Sequence, residues 1–170
     1  MRQGPADFAE VWCIDFEFYQ PPGERPDPHC LVAREINGGQ EIRLWQDELR
    51  KLSAAPYSVG HDSLIVAYYA TAEVGCHLAL GWPVPINVLD LYVEFRNLTN
   101  GKQLPCGSGL HGALTFFGFD AMGALYKEAM QKLAQRGGPY TEEEKTALIG
   151  YCAEDVLSLP KLLRRMYGFR

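Results

Sequence analysis

The chain has 170 residues, 47% of them apolar and 22% charged, with a net charge of −5 at neutral pH. That length and apolar share describe one globular domain with its own core and exclude a disordered segment. No apolar run reaches membrane-spanning length, and Met1 to Asp7 lack the hydrophobic stretch of a secretory signal, so cytoplasm is the expected compartment. The five cysteines (Cys13, Cys30, Cys76, Cys106 and Cys152) are odd in number and form no Cys-x-x-Cys pair, which argues against a disulfide framework and against zinc. The acidic balance also argues against a protein that grips nucleic acid by a basic stripe.

In chain order, Val11 to Phe18 reads as the first strand. Trp12, Ile14, Phe16 and Phe18 fall on one face and Val11, Cys13, Asp15 and Glu17 on the other, a pattern that belongs inside a sheet. The proline-rich stretch Pro21 to Pro28 is expected to be a loop, because proline removes ladder donors. Cys30 to Ile36 and Glu41 to Trp45 flank Asn37-Gly38-Gly39, a hairpin signal, so the chain opens with a three-strand antiparallel meander. Ser63 to Tyr69 is another apolar strand, after which Thr71 is placed to cap a helix ending near Gly81-Trp82-Pro83. Asn87 to Phe95 starts as a short buried strand and turns helical after Asp90. Leu110 to Phe117 and Met122 to Ala134 read as helices separated by Gly118, and Arg136-Gly137-Gly138-Pro139 is a break. Thr141-Glu142-Glu143-Glu144 is a capping box opening the last long helix. Pro160 is expected to kink or restart that helix, leaving Lys161 to Tyr167 a turn or two of its own. Strands first, then strand and helix alternating, then helices: the pattern specifies an α/β fold with a mixed sheet flanked by helices.

Three acidic islands stand out. Asp15 and Glu17, two apart on a strand, point to the same face, where two carboxylates repel unless a cation lies between them. A strand end reaching solvent is the plain alternative, and the apolar run on both sides of the pair counts against it. Glu73 falls in the first turn of the helix behind the Ser63 to Tyr69 strand. The helix dipole favours an acid there with or without chemistry, and open α/β sheets gather their functional groups at such junctions. Tyr151 and Asp155, four apart, share a helix face with Leu148 and Leu159. An Asp on that inward stripe is costly unless it accepts hydrogen bonds or meets a metal.

Taken in order, Asp-x-Glu, a strand-to-helix acid and Tyr-x-x-x-Asp resemble the DEDD superfamily of 3′→5′ exonucleases, in its tyrosine-bearing DEDDy branch. Leu64-Ile65-Val66-Ala67-Tyr68-Tyr69-Ala70-Thr71-Ala72-Glu73 resembles the second motif of that family. Asn87 to Leu91 resembles the strand that follows it, and Leu110 to Leu114 the next helix. The likeness spans roughly residues 8 to 165 and is nearest to the proofreading domains of bacterial and phage family A (polymerase I-like) DNA polymerases; ribonuclease D-type enzymes share the outline.

The resemblance implies a ribonuclease H-like fold over a single exonuclease domain, residues 1–170, ending at Arg170 as a domain separated from its polymerase or a short relative would. It implies two divalent ions, Mg²⁺ or Mn²⁺, held by Asp15, Glu17, Glu73 and Asp155. The implied reaction is hydrolysis at the 3′ end of single-stranded or frayed DNA with release of nucleoside 5′-monophosphates, and the implied partner, besides nucleic acid, is a DNA polymerase. RNA is the alternative substrate, and an inactive scaffold domain the alternative role. In that scheme Asp15 bridges the ions, Glu17 and Asp155 complete the site that activates water, Glu73 supports the second ion, and Tyr151 orients the water. A phenol with a pKa of about 10 is a poor base at neutral pH.

Two positions depart from the family: Glu73 stands where it has Asp, and Tyr69 where it has Asn. Phe18 and Tyr19 are candidates to stack on a terminal base, and Tyr69 is a further substrate-binding candidate. The proline loop, with Arg25, is a candidate border of the strand entry, and Lys161, Arg164, Arg165 and Arg170 are candidate phosphate contacts. His111 reads as a packed or capping residue.

Overall fold

The computed structural model describes residues 4–120 and 123–168. Five strands form one sheet: β1 (Glu10–Tyr19), β2 (Asp27–Glu35), β3 (Glu41–Trp45), β4 (Ser63–Ala67) and β5 (Val88–Asp90), in the order β3-β2-β1-β4-β5. The β1–β2 and β2–β3 pairs are antiparallel, whereas β4 runs parallel to β1 and β5 parallel to β4. The helices are α1 (Gln46–Leu49), α2 (Ala70–Leu80), α3 (Leu91–Leu98), α4 (Leu110–Phe116), α5 (Ala124–Gln135) and α6 (Glu142–Tyr167). This is the mixed α/β sheet that the sequence predicts, with the opening meander in place. No helix among the described residues is long and apolar enough to cross a membrane, and all five cysteines are free thiols.

The alternation in β1 sorts residues into two cores. Val11 and Cys13, with Cys30, Val32, Leu64 and Val66, pack beneath α6 through Leu148, Cys152, Val156 and Leu159. Trp12, Ile14 and Phe16, with Leu31 and Ile65, pack on the opposite face against Cys76 of α2 and the Trp82 and Tyr57 side chains. On that second face His77 is buried between the Tyr57 hydroxyl at 2.7 Å and the Pro83 carbonyl at 2.9 Å. Asp15 and Glu17 continue the first face, so they point toward α6.

Several boundaries differ from the sequence expectation, each for a local reason. β2 begins at Asp27, so Pro28 lies in a strand rather than a loop; it pairs with Phe18 where the register shifts between Glu17 and Phe18. A bulge is where a proline costs no ladder bond. β4 stops at Ala67, and α2 is capped at Tyr69 instead of Thr71 because the Asp90 carboxylate takes the Tyr69 and Ala70 amides at 3.0 and 2.9 Å. β5 is an edge strand and not a buried one, with Val88 39% exposed. α6 runs unbroken through Pro160. The proline forfeits one helical hydrogen bond, but burial of Leu159, Leu162 and Leu163 around it holds the helix together. The short helix α1 was not legible in the sequence. α5 starts at Ala124, and Met122, the expected first residue, lies outside the described residues.

Candidate active site

Three elements converge at the C-terminal end of the parallel pair β1 and β4. β1 presents Asp15 and Glu17. α2 begins just beyond β4, so Glu73 in its first turn sits beside β1 and takes a backbone hydrogen bond from Phe16. α6, opened by the Thr141–Glu144 capping box, brings Tyr151 and Asp155 across the same end of the sheet. A tie between α6 and β1 fixes their offset: the Cys152 thiol donates to the Asp15 carbonyl at 3.1 Å. All five predicted side chains line one cleft of about 360 Å³. A larger groove of about 690 Å³ lies beside β5, but among the described residues Glu94 is the only carboxylate on its walls. The converging carboxylates line the smaller one.

The acids are close and poorly solvated. Ligand-capable oxygens of Asp15, Glu17 and Asp155 lie within 4.8 Å of one another. Asp15 Oδ2 and Glu73 Oε2 are buried without a hydrogen-bond partner. Burial pushes the Asp15 carboxyl well above the usual carboxylate range, and the Asp155 charge pushes it further. Glu17 and Glu73 are likewise raised, first by burial and then by Asp15. Asp155 is pushed up to about 6 by burial, with Lys127 and the Tyr151 hydroxyl pulling the other way. The Tyr151 phenol is pushed up by burial and by Asp155. Unpaired buried carboxylates of one sign cost several kcal/mol unless a cation joins them. Orphaned oxygens in an all-oxygen donor set suit a hard divalent cation such as Mg²⁺ or Mn²⁺. The residues fit such an ion.

Of the candidates for holding substrate, Phe18 and Tyr69 line the cleft. Tyr19 does not: its ring packs against Gly137. Phe16, on the same strand face as Phe18, lines the cleft as well. Arg25 is exposed on its loop and His111 lies in α4, both outside the cleft lining. Lys161, Arg164 and Arg165 border a separate recess with Phe119, and Arg170 lies outside the described residues. Sequence reasoning missed Lys127 and Gln131 of α5 and Tyr68 and Tyr92, which also line the cleft. A lysine on an amphipathic helix reads as solvated, and only the tertiary fold turns it inward.

No family model matches the sequence, and no curated protein matches it as a relative. Solved structures do share the fold. A nuclease in its apo form is 17% identical with a TM-score of 0.59, over 95% of this chain and 75% of that one. Trypanosoma brucei RNase D in complex with RNA U12 is 15% identical with a TM-score of 0.64, over 94% of this chain but 56% of its own. The Aedes aegypti Nibbler EXO domain is 8% identical with a TM-score of 0.59, over 93% of this chain and 79% of that one. The chain thus spans little more than half the length of that RNase D. At these identities the likeness is one of fold, a ribonuclease H-like mixed sheet flanked by helices.

Proposed function

We propose that this protein is a metal-dependent 3′→5′ exonuclease acting on single-stranded nucleic-acid ends. The observation that carries the reading is the convergence of four carboxylates and one phenol in an open cleft, two of the carboxylate oxygens being buried and unpaired. Asp15, Glu17, Glu73 and Asp155 would hold two divalent ions, Mg²⁺ or Mn²⁺. When bound, such ions lower the pKa of an attacking water and neutralise charge that builds on the phosphate oxygens.

The chain's own groups account for the remainder. Tyr151 donates its hydroxyl hydrogen to Asp155, which leaves its oxygen to accept a hydrogen from the nucleophilic water and aim that water at phosphorus. With its acidity weakened by burial, the phenol orients the water and does not act as a base. Lys127 brings a positive charge to the cleft wall, where it can hold a non-bridging oxygen of the scissile phosphate. Water adds to phosphorus and gives up one proton to solvent, the bond to the 3′ oxygen of the penultimate nucleotide breaks, and that oxygen takes a proton from solvent. A nucleoside 5′-monophosphate leaves. Glu73 reaches one methylene further than the aspartate it replaces and keeps the charge.

The polymerase-type motifs support a DNA end as substrate and a proofreading setting beside a polymerase. The fold shared with RNase D, one of whose structures holds RNA, favours RNA as a second reading. The test is to incubate 5′-labelled single-stranded DNA and RNA oligonucleotides with the protein and Mg²⁺ or Mn²⁺. A ladder shortening from the 3′ end, with mononucleotides carrying a 5′-phosphate, is the expected result. The relative rates on the two sugars decide between the readings. Internal cuts would overturn the exonuclease assignment, and no cleavage of either polymer would overturn the proposal and favour the scaffold role.

A further inference from the structure

Tyr69 alone among the described non-glycine residues has a positive φ, at 74° with ψ at 58°. Left-handed backbone suits glycine and asparagine; a tyrosine there is strained. One carboxylate holds the strain in place. Asp90, at the end of β5, accepts from the Tyr69 and Ala70 amides at 3.0 and 2.9 Å, and from the Tyr92 amide at 2.9 Å at the start of α3. The same group therefore positions two tyrosines. Their rings meet edge to face, with centroids 5.4 Å apart and planes at 76°. Tyr92 is braced from behind by Tyr68 at 5.9 Å and by Arg96, which lies over its ring and donates to its hydroxyl at 3.3 Å. All three tyrosines line the acidic cleft, yet Tyr69 remains 53% exposed. A large ring that is outside the core and makes no side-chain capping bond, kept at a strained position beside the acidic cleft, points to use.

We propose that Tyr69, braced by Tyr92 and positioned by Asp90, is the platform on which a base of the substrate strand stacks beside the acids. This rests on the exonuclease reading and adds a grip on the base to the grip on phosphate. Such a grip suits a chain of net charge −5, since stacking on an aromatic face needs no basic groove. Tyr69 does what the family's asparagine cannot, and Asp90 acts only through it.

The decisive variant is Tyr69→Asn, because asparagine accepts the left-handed backbone that tyrosine resists. Its melting temperature is expected to equal or exceed that of the wild type, while KM for a single-stranded oligonucleotide rises roughly tenfold at nearly unchanged kcat, as loss of one stacked base predicts. Tyr69→Phe keeps the ring and should behave as the wild type. Abasic residues placed singly at each of the last four nucleotides locate the contact. At one position the wild type should lose the same factor, and Tyr69→Asn should lose nothing more.

Equal KM for wild type and Tyr69→Asn, or a penalty indifferent to every abasic position, would overturn the platform. Fluorescence anisotropy with the same oligonucleotides separates this from the reading beneath it. Binding that depends on Tyr69 without cleavage keeps the platform and removes the hydrolase. Cleavage with no effect of Tyr69→Asn on binding removes the platform alone. No binding by the wild type removes both.

Discussion

Asp155 sits one helical turn from Tyr151, and burial holds its carboxyl at about 6, above the roughly 3.9 of an unfolded chain. Between those values the folded protein binds more protons than the unfolded one, so this group's contribution to stability is full below about pH 4 and is lost as pH rises through about 6. In the metal-free protein, Asp155→Asn should therefore stabilise above pH 6, by an amount on the order of 1–3 kcal/mol, and make little difference near pH 4. With millimolar Mn²⁺ at pH 7.5 the order should reverse, because the ion stabilises the state that binds it. Thermal melts of both proteins in EDTA and in Mn²⁺, across pH 4 to 8, read both signs. A variant less stable than the wild type in EDTA at pH 7.5 would contradict the account. Spacing put Asp15 and Glu17 on one strand face and Tyr151 and Asp155 on one helix face, but it was the resemblance to the exonuclease family that joined them with Glu73 into one expected site. Lys127, Asp90 and Tyr92 were not legible, because their meaning depends on what faces them after folding.

The elements carry the site through a few close approaches. A Cβ on Gly112 of α4 would lie 2.1 Å from the Gly107 carbonyl and 2.6 Å from that of Cys106. The helix therefore rests directly on the preceding loop, whose Ser108 carbonyl receives the Tyr68 hydroxyl at the cleft. Gly112→Ala must push this loop away, which predicts a loss of about 1–3 kcal/mol in denaturant unfolding, the usual cost of overpacking. An unchanged midpoint would show that the loop yields freely. Legibility at this scale followed hydrogen-bond chemistry. The meander, the Thr141 capping box and the Asn-Gly-Gly hairpin were readable because their signals are local. The cap of α2 was not, because its acceptor, Asp90, is 21 residues away from Tyr69. Pro160 misled for the converse reason: a local breaker was overruled by burial of the leucines around it.

At the scale of the molecule, two apolar cores on opposite faces of one sheet hold β1 between α6 and α2, and the acids collect where β1 ends, α2 begins and the middle of α6 crosses. The order of the sheet could be anticipated as mixed, but the meeting of Glu73, from the far face, with Asp15 needed the parallel pairing of β1 and β4. Burying like charges at that junction is tolerable only if positive charge is brought to them. The most direct measurement is a titration of the folded protein with Mn²⁺, followed by the loss of the free-ion electron paramagnetic resonance signal, for wild type beside Asp15→Asn. The account predicts that the wild type takes up Mn²⁺ at sub-millimolar to millimolar concentration, and that Asp15→Asn, with an unchanged circular dichroism spectrum, loses most of that uptake. Equal uptake by both proteins, or none by the wild type, would contradict it.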